Sequence, residues 1–349
     1  MIPRICGRSS LASRRAFSLV ELLVVMAIIA IVIALVLPAI GRARESANRA
    51  DTLSVCSQLS QAISQFKIDN NGFNPGRFSA ADMGHSENVN QGFTTWHNVM
   101  LDLMGGEAPA PSANTLANIG PRTSGTPQIL VDIGLIGSAK ANKGYFKPRA
   151  KNFPGSDPTR AFGLASTGNN RLLPSLVDSW GNPIMVWMAD TTIKNWDADP
   201  TVAQKDRLVS PTWNDRPGVF YWAANAGVLR STGLGSSNSN VANDSMIGSP
   251  AAPAANSPQI QTLITILGSP TINNASTGNP ATIYPTAPRG EYIIQSAGQR
   301  GHFFGKARKN EDATGWAGGN QLTYDAGARA SPPRDQALTS DDILVSGGG

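Results

Sequence analysis

Glu21 is the first carboxylate in the chain, and it stands inside an apolar run: Phe17-Ser18-Leu19-Val20 precede it, and residues 22–37 are only Leu, Val, Ile, Ala and Met. In a bilayer such a charge costs at least about 2.5 to 3.5 kcal/mol unless it finds a partner or reaches the interface. A free cationic amine would be a suitable partner. The local alternative is a carboxylate at the cytoplasmic interface, one turn into a helix and stabilised by the positive end of that helix.

Other chemistry is sparse. The chain has no H-E-x-x-H, G-x-S-x-G, G-x-x-x-x-G-K-[ST] or C-x-x-C pattern. His85, His97 and His302 are isolated and are expected to be surface or satisfied core residues, and Asp197 and Asp199 fall in a polar loop. Asp341 and Asp342 form an adjacent acidic pair, hard oxygen ligands in principle but more often a solvated surface. Cys6 and Cys56 are the two cysteines, and Cys56 is expected to be a small buried hydrophobe. Neither a catalytic centre nor a cofactor site is expected.

The elements that must position Glu21 follow from hydropathy. Residues 17–40 number 24 and, as a helix rising about 1.5 Å per residue, would span about 36 Å, enough for a hydrocarbon core of roughly 30 Å. Arg4, Arg8, Arg14 and Arg15 precede this segment with no acidic residue, which keeps residues 1–16 cytoplasmic and sends the rest outward. Beyond it, Ala47, Ala50, Leu53, Cys56, Leu59, Ile63 and Phe66 recur every three or four residues, predicting an amphipathic continuation. Asp69-Asn70-Asn71-Gly72 supplies the stop, so one helix is expected over residues 17–68.

These residues resemble the leader and N-terminal helix of type IV pilins and type II secretion pseudopilins. The resemblance implies cleavage by prepilin peptidase between Ala16 and Phe17, methylation of the new amine, and pairing of that amine with Glu21 of a neighbouring subunit during assembly. Pro38 matches the proline common in this helix; Ala16 departs from the glycine that usually precedes the cut. A head over residues 73–349 would pack on the helix stripe, giving an α+β fold divided into a leader (1–16), a membrane half (17–40), an amphipathic half (41–72) and an extracytoplasmic head. Strands are expected at residues 128–131, 183–188, 218–222 and 291–295, a short helix at 96–104, and a low-complexity insertion at about 231–288 with one ordered element near 260–267.

Two more patches resemble the pseudopilins. Asp178-Ser179-Trp180-Gly181-Asn182-Pro183 is similar to their D-x-W-G-N-P turn, and Ser296-Ala297-Gly298-Gln299-Arg300-Gly301 with Asp341-Asp342-Ile343 to the loop and segment where relatives hold calcium. Asp341 and Asp342 would be the metal ligands. Arg300 stands where the pattern has an acid, and about forty residues separate the two segments, so calcium is expected to contribute little.

The formal charge of +5 depends on the leader: without its four arginines, 25 Lys+Arg face 24 Asp+Glu, a net of +1. No cluster of cations interleaved with aromatics remains, so no nucleic-acid partner is expected. The implied partners are prepilin peptidase, other pilin or pseudopilin subunits, an assembly ATPase, a platform protein and the inner membrane, with the head in the periplasm. A membrane-anchored binding or adhesion protein that uses the leader only for export is the rival reading, and an anchored hydrolase a third.

Overall fold

The computed structural model describes residues 18–78, 94–110, 115–119, 129–138, 144–153, 173–189, 209–210, 220–221, 225, 266–268, 272–273, 284–285, 288–300, 324–325, 334–335 and 342–348. Helix α1 is Leu19–Asp69 and runs unbroken through Pro38. Its first part lies in a compact unit, Met1–Ala47, and its last part in a second, Asn48–Gly349. The end of α1 follows from Asn71 and Gly72: both adopt positive φ, and the Gly72 N–H reaches back to the Lys67 carbonyl at 2.8 Å, closing a Schellman motif with asparagine in the left-handed position.

From Leu19 to Ile40 every residue of α1 is exposed, and this is the one described helix long and apolar enough to cross a membrane. The distal part buries one arc made of Thr52, Val55, Cys56, Leu59, Ala62, Ile63 and Phe66. Ala47 and Ala50, expected on that arc, are exposed, and Leu53 is 38% exposed. Steps of exactly three drift around a helix of 3.6 residues per turn: the nine residues from Ala47 to Cys56 amount to about 180°. Alanine tolerates the outward face, and Thr52 and Val55 take the inward one.

Helix α2, Thr95–Leu103, begins at a capping box in which the Thr94 hydroxyl accepts from His97 N–H and the His97 ring Nδ1 accepts from Thr94 N–H at 3.2 Å. It ends at Met104, where Gly105 and Gly106 take positive φ as the sequence anticipates. Eight of its nine residues are buried.

The strands are β1 (Thr115–Ile119), β2 (Ile129–Asp132), β3 (Ile184–Met188), β4 (Val209–Ser210), β5 (Phe220–Tyr221), β6 (Ile272–Asn273), β7 (Tyr284–Pro285), β8 (Tyr292–Ser296), β9 (Tyr324–Asp325), β10 (Arg334–Asp335) and β11 (Ile343–Gly347). The principal sheet is antiparallel in the order β11-β8-β3, with Ile343 and Ile184 both opposite Ser296. β2, β3 and β8 fall where sequence placed strands; of the strand expected at residues 218–222, the described residues are 220–221, which form β5. Of the expected insertion, residues 266–268 and strands β6 and β7 are described; Ile266 and Leu267 are buried.

One face of the sheet, Ile184, Val186, Tyr292 and Ile294, shares a core with Leu59 and Ile63 of α1 and Val99 and Met100 of α2. Its other face, Met185, Trp187, Ile293 and Gln295, is also buried. Burial on both faces explains why β3 and β8 read as continuous apolar runs instead of alternating. Complete burial of side chains such as Leu59 and Ile63 contributes about 1.5 to 3 kcal/mol each.

Candidate assembly segment and head junction

Glu21 sits in the first turn of α1, exposed. Its Oε2 accepts the Ser18 N–H at 2.9 Å, while the Ser18 hydroxyl oxygen accepts the Val20 N–H at 3.4 Å. Ser18 is therefore the N-cap and Glu21 the reciprocal N3 residue of a capping box, two of the donors at a helix start being satisfied locally. The S-x-x-E spacing announced this role, which sequence reasoning overlooked. Ala16 and Phe17 lie outside the described residues. The carboxylate is held at the N-terminal end of the helix, one turn from the position where cleavage would release an amine.

A second constellation lies in the head. The turn Asp178-Ser179-Trp180-Gly181-Asn182 is built around the buried Asp178 carboxylate, whose Oδ1 accepts the Trp180 and Asn182 N–H groups at 2.9 and 2.8 Å. Gly181 has φ 87°, a conformation that favours glycine. Asp178 Oδ2 accepts the Ser296 hydroxyl at 2.8 Å, and Asn182 Nδ2 donates to the Gly298 carbonyl at 2.8 Å, tying the turn to the end of β8. Burial pushes the Asp178 pKa up, against the opposing hydrogen bonds from Ser296, Asn182 and Trp180.

The same turn docks on α1. Ser179 N–H donates to Thr52 Oγ1 at 3.1 Å and its hydroxyl to Asp51 Oδ2 at 2.5 Å. Arg149 and Lys151 each reach Asp51 at 2.7 Å. The hydrogen bond from Lys151, then that from Ser179, holds the Asp51 carboxyl below its ordinary range. A carboxylate so engaged by cations is a weak base, so Ser179 is not activated by it; the arrangement is a clasp between helix and turn. Further along, Tyr292 OH lies 2.8 Å from the Ser60 hydroxyl and 3.1 Å from that of Ser64, and Lys67 pairs with Glu291.

The Ser296 and Asp342 segments, about forty residues apart in sequence, meet in the fold: β8 and β11 pair directly, Ile343 opposite Ser296. Loop closure grows only logarithmically with length, so a long insertion between paired strands costs little more than a short one. Asp342 is buried and accepts from Gln295 Nε2 at 2.6 Å; Gln295 Oε1 in turn accepts from Trp187 Nε1 at 3.0 Å. Ser296 and Gln295 point to opposite faces of the strand, so Asp178 and Asp342 occupy different environments. Asp341 lies outside the described residues, and so do His85, His302, Asp197 and Asp199; the side chain of Arg300 is likewise not described. Among the described residues, no three His, Cys, Asp or Glu side chains gather where they could hold a metal ion. Cys56 is free and fully buried, and burial pushes its thiol up to about 12.

Residues 11–37 match the prokaryotic N-terminal methylation motif. This motif is the prepilin-type leader of type IV pilins and pseudopilins, and it spans the expected cleavage site, Ser18, Glu21 and most of the apolar part of α1. It implies processing by a prepilin peptidase and assembly with pilin subunits, and together with the apolar helix it fits a single-pass inner-membrane anchor. No curated protein and no solved structure matches the chain.

Proposed function

We propose that the chain is a structural subunit, a pseudopilin or minor pilin, of an inner-membrane-anchored filament of the type II secretion or type IV pilus kind. The observation that carries this reading is the methylation motif, whose residues 19–37 form the exposed first turns of a helix that also supplies the head with its core. An export leader alone would need no carboxylate at Glu21 beyond its part in the capping box of α1. With the leader arginines cytoplasmic, the head emerges in the periplasm, where filament growth would draw on an assembly ATPase acting through a platform protein. The D-S-W-G-N-P turn, built around Asp178 and seated on α1, favours the secretion branch. The size of the head, residues 73–349, suits a specialised or minor subunit.

Intact-mass measurement of the protein from membranes tests the reading. A mature chain beginning at Phe17 with one added methyl group is expected. A start after Gly41, or an uncut Met1, would overturn it.

A further inference from the structure

Arg42 and Arg44 follow directly on the exposed apolar stretch of α1 that ends at Ile40. Both are exposed, and neither makes an ion pair or side-chain hydrogen bond with another described residue. The apolar stretch, residues 19–40, rises about 33 Å at ~1.5 Å per residue. A hydrocarbon core of roughly 30 Å therefore ends where these arginines begin. Two residues along a helix turn about 200° and rise about 3 Å, so the two guanidinium groups leave opposite sides of α1 at nearly one depth.

From this geometry we infer that Arg42 and Arg44 form a collar that binds the anionic headgroups of the outer leaflet of the membrane that α1 spans. A partner protein approaches a helix from one side and would engage one of the two arginines. A leaflet surrounds the helix and reaches both. Guanidinium forks suit the bidentate recognition of phosphodiester oxygens, and their aliphatic stems lie against the apolar boundary. Gly41 adds no side chain on the membrane side of the collar, and a Cβ there would meet nothing within 4 Å. Glu45 opposes the collar in part. Once residues 1–16 are removed, Arg42 and Arg44 are the first cationic side chains left in the chain, so the mature subunit is held by its outer end, where the precursor also carried four arginines on the inner one.

The inference rests on the membrane anchor and not on the filament, so it stands or falls separately from the processing test. Full-length protein in vesicles of phosphatidylcholine with phosphatidylglycerol would be probed with spin-labelled lipids of each kind, comparing their association at the protein boundary. The native chain should prefer phosphatidylglycerol, with each arginine contributing up to roughly fivefold at low salt. R42Q/R44Q should lose that share of the preference, R42K/R44K should keep most of it, and E45Q should increase it. Glutamine forms helix about as well as arginine, so the double variant keeps α1 intact. An unchanged preference in R42Q/R44Q would overturn the inference. If the preference is unchanged while subunit cross-linking in cells is lost, the arginines instead serve an acidic surface on a neighbouring protein.

Discussion

His97 should make the head lose stability in acid. The ring is buried, and burial alone drives its pKa down from 6.5 to about 3. Its Nδ1 accepts the Thr94 N–H in the capping box of α2, which a proton on that nitrogen would abolish. The unfolded chain takes up a proton below about pH 6.5 and the folded chain does not until about pH 3, so this stability is present at neutral pH and is lost as pH falls between those values. With those two pKa values, the loss between pH 7 and pH 5 is about 2 kcal/mol. Asp51, held low, loses stability in more acidic solution, and Asp178, raised, works in the opposite direction; a variant comparison removes both. His97→Asn is the suitable variant, because its side-chain oxygen can stand near the Nδ1 position and accept from Thr94. Urea unfolding of a fragment beginning near Arg42, followed by tryptophan fluorescence at several pH values, measures the effect. His97→Asn should be less stable than the native head at pH 7, with the gap closing by about 2 kcal/mol at pH 5. Parallel stability profiles for the two proteins would refute the reasoning.

Further outcomes can be checked with few variants. Glu21→Ala should leave membrane insertion and the head intact while disrupting filament assembly, so the subunit cross-linking ladder in cells should weaken or disappear; an unchanged ladder would count against the register role. Leu59→Ala, at a fully buried position, should cost about 2 to 5 kcal/mol in chemical denaturation. Leu53→Ala, at a position 38% exposed, should cost clearly less, which directly tests the corrected helix face. Calcium should scarcely move the melting temperature of the same fragment, although a working site at a hundredfold excess over Kd would add about 2.7 kcal/mol; a rise of several degrees that vanishes in Asp341→Ala or Asp342→Ala would reverse that view.

The local features of this protein were legible in its residues. Helix α1, its stop at Asn71 and Gly72, α2, and the strands at Ile129, Ile184 and Tyr292 all depend on hydropathy, turn chemistry and capping over a few neighbouring positions, and the methylation motif is one contiguous stretch of sequence, residues 11–37. The S-x-x-E box at Ser18 and Glu21 was equally legible, since its signal is a spacing of three residues at the helix start. Which face of the distal helix is buried could not be read from spacing alone, since alanines at Ala47 and Ala50 fit either side. Tertiary packing chose Thr52 and Val55. The junction at Asp178 was recognisable as a turn, but its partners Asp51, Thr52 and Ser296 lie more than a hundred residues away along the chain, and no periodicity reports such a distance. Pairing of β8 with β11 was hidden for the same reason. Strand pairing is decided by backbone hydrogen bonds and burial in the closed fold, to which the length of the intervening loop contributes little.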